Sequence, residues 1–523
     1  MLFSSIALLA WSLCATVVVG QDGSVTGPTS SAQAAGYSCD PSKCQLPNCN
    51  CASTSPPAPT SSIILLLNPI TASLAHEFHA LQSSVPQFYR LHRPDDAVQS
   101  YTLDAVNQFL AQRKNPNGCP IKMTYYTSLN YTNYTLVTDW FVAGNEIADH
   151  TMTHVGTPPQ DEIDGNLVVL NALAGTEIIG FRAPYLNYSV QTLQFLQQAG
   201  FTYDSSATSS LPVDAEGTDA YWPYTLDYGL ANDCLSVEGI CQGQPQIPGF
   251  LGGVEGIHLM DPWLDTANGN SVVNDSATLE YMQNTFTAHY NGNRQPIGLY
   301  THPYSSCCVP APTSTINMIN QFLDWAQEQP DVWIVSTQQL LEWVRNPEPI
   351  ANLDNSAALK CSTPQVDSST KICNGIPQNE AGLLDHCAFA DFPFYTCYGC
   401  PVETPTPGNP NPAQSVPSGG QARFRLPANC STPFWDPIQG SCLCQESSCE
   451  FNDVSRPIGP NGANLTGGGT GGALESGSAS PSPSYAPFNG ADGSLLFAAG
   501  TRHALIFGLV GVVLGAVGVL VRV

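Results

Sequence analysis

A chain of 523 residues with 42 Asp and Glu against 16 Lys and Arg carries a net charge near −26. No stretch of it is basic enough to follow a phosphate backbone, which excludes nucleic acid as a partner. Only 11% of the residues are charged, so solubility rests on Ser, Thr, Asn and Gly, as in secreted glycoproteins, and the length suits one large domain with appendages.

Residues 1–20, MLFSSIALLAWSLCATVVVG, are an apolar run closing on small residues. They are read as a signal peptide cleaved before Gln21, although the expected basic n-region is missing. Cys39, Cys44, Cys49 and Cys51 cluster in the segment 21–57, where an oxidising compartment favours a disulfide knot over a zinc knuckle. With Cys14 lost in the leader, the 19 cysteines become an even set, and spacing alone does not say which of them pair. N-x-Ser/Thr sequons at Asn130, Asn133, Asn187, Asn274, Asn429 and Asn464 mark candidate glycan acceptors.

Residues 58–85 read as an atypical insertion or linker. From 86 to 348, strand-like and helix-like stretches alternate. In LHRPDDAVQSYTLDAVNQFL the acidic pair Asp95 and Asp96 stands between a proline and the apolar pattern of a helix; IKMTYYTS, EIADH, FTYDSSA, PIGLYTH and VWIVST read as strands; LVTDWFVAG, VQTLQFLQQAG, INMINQFLDWAQEQ and QQLLEWVRN read as helices. Such alternation implies a parallel sheet, and the segment has about the length of an α/β barrel, whose chemistry lies on loops at the C-terminal ends of the strands.

Beyond Pro349 the periodicity fades and cysteines return, so 349–455 reads as a disulfide-stapled, loop-rich appendage. Residues 456–490 have the Gly, Ser and Pro composition of a stalk. In 491–523 an apolar run follows the small triplet Asn489, Gly490 and Ala491 after a polar spacer, the pattern of a glycosylphosphatidylinositol signal attaching at Asn489. A transmembrane anchor through 504–521 is the competing reading. Both predict an extracellular, cell-surface protein held to the plasma membrane, the first through a lipid anchor with the cell wall as a further destination.

Within the central segment, His150 and His154 in EIADHTMTHVG are spaced so that one helical turn or a tight loop brings both imidazoles to one point. Two imidazoles and a carboxylate make a three-ligand site with a position open for water, as in catalytic zinc. Arg182 in GFRAPY ends an apolar stretch and has the fork geometry that holds a carboxylate, with Pro184 stiffening the turn after it. A structural salt bridge explains that arginine equally well. His302 in GLYTHP closes another apolar stretch.

The order Asp-Asp, His-x-x-x-His, Arg-x-Pro-Tyr and a terminal strand histidine resembles the NodB-type polysaccharide deacetylases, carbohydrate esterase family 4. KNPNGCPIKMTYY, GNEIADHTMTH, GFRAPYL and GLYTH are similar to stretches of chitin deacetylases from fungi and arthropods. The resemblance covers residues 86–348 and implies a distorted (β/α) barrel, here with disulfide-rich N- and C-terminal appendages, and a divalent metal, Zn2+ or Co2+. It implies Asp96, His150 and His154 as metal ligands, Asp95 as general base and His302 as general acid. It also implies that Arg182 orients Asp95, that the Tyr185 N–H binds the oxyanion next to Pro184, and that Asp204 tunes His302. The implied reaction is hydrolytic deacetylation of N-acetylglucosamine units in chitin or a related N-acetylated glycan. The alternative is an impaired or inactive carbohydrate-binding wall protein that keeps the barrel.

One stretch departs from the family pattern. In VPQFYRLHRPDD, Arg90, His92 and Arg93 are poor choices for a strand inside a barrel, and Pro94 lacks a ladder N–H. AGTEIIG and PGFLGGVEG also look short for strand entries. The first departure is explained either by a degraded strand with reduced activity or by misplaced exon boundaries around 58–94, and the abrupt return of intact motifs at Asp95 favours the second.

Overall fold

The computed structural model describes residues 86–443, apart from 94–96, 208–220, 232–238, 241–242, 254–257, 261–273, 301–312, 362–365, 427–429 and a few single positions, together with 52, 53 and 57. The leader, the N-terminal cysteine cluster, 58–85, the stalk and the tail therefore lie outside the described residues. So do Asp95, Asp96, His302, Asn429, Asn464 and Asn489.

The sheet begins with β1 (Gln87–Arg93), which corrects the expectation that this stretch is unfit for a strand. It pairs in parallel with β2 (Met123–Thr127), β9 (Ile297–Tyr300) and β10 (Val332–Val335). Those neighbours are rich in β-branched and aromatic residues, and their backbones supply the ladder whatever the β1 side chains prefer. From β2 the sheet runs in parallel through β3 (Glu146–Asp149), β4 (Gly180–Phe181), β5 (Tyr203–Asp204) and β7 (Leu251–Gly253), while β6 (Tyr224–Thr225) joins antiparallel and β8 (His258–Met260) pairs with β9. The architecture is α/β, a mostly parallel sheet with helices against it, and β6 and β8 are the ends of the path of described strands.

Alternation along the strands sorts side chains between two compartments. Tyr125, Ile147, Leu299 and Ile334 face the helices. Their neighbours Tyr126, Ala148 and Tyr300 join Tyr203, Leu251 and Leu341 in a separate interior cluster, as the period of two requires. At Gly180 a Cβ would stand 2.0 Å from the Tyr203 ring, so a glycine there lets the ring cross the short β4 backbone.

The outer layer comprises α1 (Ser100–Leu110), α2 (Tyr134–Val142), α3 (Gln160–Ala174), α4 (Val190–Ala199), α5 (Asp275–Asn291), α6 (Thr313–Gln327) and α7 (Thr337–Arg345). Ser189 with Thr192, and Ser336 with Gln339, form capping boxes that start α4 and α7. Val106, Trp140, Leu167, Phe286 and Phe322 belong to the core between helices and sheet.

The cysteine-rich segment is fastened to this layer. Cys119–Cys361 ties it to the loop before β2, and Cys373–Cys397, Cys387–Cys400 and Cys430–Cys442 hold it internally. Such crosslinks fit an oxidising, extracellular compartment. The hairpin of β11 (Asp385–Cys387) and β12 (Phe394–Thr396) lies on α2 and α3. Thr396 Oγ1 donates to Leu173 O at 2.5 Å, and Phe394 meets Tyr134 edge-on at 4.9 Å. No helix among the described residues is long and apolar enough to cross a membrane.

Candidate active site

The site is built where β3 ends. Asp149 closes the strand, and its Oδ1 accepts the Thr151 N–H at 2.7 Å, bending the chain at once. Thr151 and His154 both take left-handed backbone, with φ of 63° and 59°. The histidine pair is therefore carried by a tight loop rather than a helical turn, and for a β-branched residue such as Thr151 this conformation is strained. Surrounding bonds hold it: Leu129 N–H donates to Met152 O at 3.0 Å, Met152 N–H to Glu162 O at 3.0 Å, and Thr153 gives both its N–H and its hydroxyl to the Glu162 carboxylate at 2.8 and 2.6 Å.

This loop sets the two rings 5.0 Å apart between centroids. His150 is buried, and its Nδ1 lies 2.8 Å from Arg182 O. A carbonyl only accepts, so Nδ1 carries the proton and Nε2 keeps the lone pair. A metal-ligating histidine is commonly oriented through its other nitrogen in this way. This donor set suits a divalent cation, which His150 and His154 would help to hold. The third ligand implied by the sequence, Asp96, is outside the described residues, and no group of three or more acidic, His or Cys side chains suited to a metal occurs among those described.

Arg182 follows β4 and is almost fully buried. Its guanidinium donates to Ser205 O and to Ser205 Oγ and lies 4.0 Å from the centre of the Tyr300 ring, a cation–π arrangement of substantial strength when buried. Asp95, its implied partner, is outside the described residues. Pro184 opens a one-turn 3-10 segment in which Tyr185 has φ 57° and is 76% exposed, its ring edge-on to His154 at 4.7 Å. By position, the Tyr185 N–H is a donor that such a turn leaves without an internal acceptor.

Asp204, at the end of β5, is buried and accepts the Ser206 hydroxyl at 2.6 Å and the Ser206 N–H at 3.1 Å. Ser206 Oγ in turn accepts the Ala183 N–H at 2.7 Å. Asp204 thus braces the Arg182 loop, a contact that the sequence did not suggest. Of the sequons, Asn130, Asn187 and Asn274 are exposed, whereas Asn133 is buried with Oδ1 accepting the Tyr395 N–H.

Sequence reasoning also missed Asp149, although EIADH displays it beside the first histidine. Its Oδ1 takes bonds from Thr151 and Asn166, while Oδ2 is buried with no hydrogen-bond partner. Burial pushes this carboxyl well above its ordinary range, against the lowering effect of those two hydrogen bonds.

The ends of the adjacent strands β3 and β4 thus bring together two imidazoles, a buried arginine and the exposed Tyr185. No family model matches the chain. Chitin deacetylase 1 of Bombyx mori is 26% identical over 406 residues, 71% of this chain and 68% of the relative. Chitin deacetylase 8 of the same species is 27% identical over 338 residues, 60% of this chain and 79% of the relative. A putative polysaccharide deacetylase from Mycobacterium smegmatis superposes with a TM-score of 0.35 at 16% identity, covering 56% of this chain and 94% of that one. These sequence relatives support reading the chain as a deacetylase similar to the NodB-type polysaccharide deacetylases, carbohydrate esterase family 4.

Proposed function

We propose that the protein removes acetyl groups from N-acetylglucosamine units of chitin or a closely related N-acetylated glycan, outside the cell. The observation that carries this reading is the His150 ring, fixed by the Arg182 carbonyl in the tautomer that leaves Nε2 its lone pair, with His154 beside it. Asp96, His150 and His154 would hold the cation, Zn2+ or Co2+. The chemistry such a cation supplies is Lewis acidity toward water and toward the acetamide carbonyl.

The remaining steps belong to the chain's own residues. Asp95 takes a proton from the attacking water, and Arg182 keeps Asp95 in place. Oxygen bonds to the acetyl carbon, and the Tyr185 N–H donates to the oxyanion that develops there. Amide nitrogen leaves only when protonated, so His302, tuned by Asp204, delivers a proton to it as the C–N bond breaks. Acetate and a glucosamine unit result. The leader and the tail support a cell-surface address with attachment through a lipid anchor.

Acetate release from a panel of acetylated glycans, with and without chelator, tests the reading. Release from chitin oligomers that stops with chelator, and that falls at least about a hundredfold in His150→Ala and Asp95→Asn, is the expected result. Metal-replete protein that binds chitin oligomers and frees no acetate would mark a carbohydrate-binding protein instead.

A further inference from the structure

Two tyrosines are exposed far beyond what filling a core requires, Tyr185 at 76% and Tyr131 at 63%. Tyr185 is accounted for by its contact with His154. Tyr131 plays no part in the reaction described above, yet it shares the same unusual features: left-handed backbone, with φ 59°, and an aromatic ring facing solvent. A non-glycine residue adopts that conformation only where its surroundings impose it.

Those surroundings are the site. Tyr131 sits in the loop after β2, where Ser128 Oγ donates to His150 O at 2.8 Å and Leu129 N–H to Met152 O at 3.0 Å. On its other side the Gln99 side-chain amide donates to Tyr131 O, and Val98 N–H donates to Thr132 Oγ1 at 3.3 Å. The loop is thus wedged between the histidine loop and the residues that directly follow Asp95 and Asp96. Behind the exposed ring stands half-buried Phe392 of the cysteine-rich segment, edge-on at 5.6 Å and 75°. Phe392 lies within the span closed by Cys387–Cys400, and the Tyr395 N–H fastens that span to Asn133 at 3.2 Å.

We infer that Tyr131, braced by Phe392, is a stacking platform for a pyranose ring of the glycan other than the one being deacetylated, and that the cysteine-rich segment thereby helps set the chain length the enzyme prefers. A β-linked pyranose presents C–H groups on its face, which match an aromatic ring, while the phenol hydroxyl can reach the sugar hydroxyls. The inference rests on the proposed glycan substrate.

The test uses the full chain in an Asn130→Gln background, so that no glycan on the adjacent sequon covers the ring. Acetate release is measured on N-acetylglucosamine oligomers of two and five units, and binding of the five-unit oligomer is measured separately on chelated protein by tyrosine and tryptophan fluorescence. Tyr131→Ala is expected to lower the five-unit to two-unit ratio of kcat/KM about fivefold, through KM rather than kcat, and to weaken five-unit binding similarly. Tyr131→Trp restores both, and Phe392→Ala falls between. An unchanged ratio with unchanged binding in Tyr131→Ala overturns the platform, as does absence of oligomer binding by the unmutated protein. If the protein binds the oligomer through Tyr131 but frees no acetate, the platform stands and the deacetylation reading falls.

Discussion

Glu146 and Asp149 stand at opposite ends of the four-residue strand β3, both buried, in contrasting surroundings. Glu146, at the end away from the site, receives Thr124 Oγ1 at 2.8 Å, Gln338 N–H at 2.8 Å and Tyr203 OH at 2.7 Å. It joins β2, β5 and the first turn of α7 through one carboxylate. Asp149, at the site end, has one oxygen engaged and the other buried without a hydrogen-bond partner, and the loop that follows contains left-handed Thr151 and His154. Within β3, Glu146 thus has its carboxylate satisfied, while Asp149 keeps one oxygen unsatisfied and is followed by a bent backbone, a division that suits a site at the C-terminal ends of the strands.

The largest effect should come from breaking the satisfied end. Glu146→Ala leaves three donors around a buried gap, and a loss of about 3–5 kcal/mol is expected, because unpaired buried donors cost more than the bonds were worth. A fall of that size in the urea unfolding free energy checks it. A loss below about 1 kcal/mol would mean that Glu146 is not the joint described here.

A second incompletely satisfied acid, on the helical layer, gives a pH-dependent version of the same contrast. Asp139 on α2 has a buried Oδ1 with no hydrogen-bond partner, and burial, then the nearby Glu380 charge, raises its value from 3.8 to about 7. The folded state therefore favours the protonated acid. Stability from this group is complete below the unfolded value near 4, is lost as pH rises toward 7, and stays lost above. Asp139→Asn should be about 2–4 kcal/mol more stable than the parent at pH 8, with little difference near pH 4. Urea midpoints at the two pH values decide it, and a pH-independent difference would remove Asp139 from the account.

Much of this was legible in the sequence, for identifiable reasons. β2, β3, β9 and β10 and the helices α2, α4, α6 and α7 announce themselves by period and by turn residues, and His150 with His154 is visible because both imidazoles lie within five consecutive residues. β1 was misjudged because Arg90, His92 and Arg93 argue against a strand, whereas pairing is decided by neighbours more than 30 residues away in sequence. The Cys119–Cys361 link spans 242 residues and has no local signature. The contrasting states of Glu146 and Asp149 arise from partners on other elements, and so does the buttress that Phe392 gives Tyr131.

Asn166 sharpens the comparison from the site end. Its Nδ2 donates to Thr127 O at 2.8 Å and to Asp149 Oδ1 at 3.1 Å, so Asn166→Ala takes from Asp149 one of its two hydrogen bonds. About 1–3 kcal/mol of stability should go. Zinc affinity should fall about tenfold or more as the loop bearing both histidines loses its support. Thermal unfolding of chelated protein reads the first quantity and a competitive zinc titration the second; a change in stability alone would detach Asp149 from the metal-binding loop.

The smallest effect concerns the bent backbone itself. Thr151 holds φ 63° and uses its Oγ1 to accept the Val155 N–H at 3.2 Å. Thr151→Gly relieves the conformational cost, about 1–2 kcal/mol for a residue with a Cβ, but it removes that acceptor and adds freedom to the unfolded chain, which together cost a similar amount. Net stability should therefore stay within about 1 kcal/mol of the parent. If Thr151→Gly instead stabilises by more than 2 kcal/mol, the strain at this end is larger than the hydrogen bonds around it suggest. If it destabilises by as much, the Thr151 hydroxyl, rather than the Asp149 turn, is what shapes the loop.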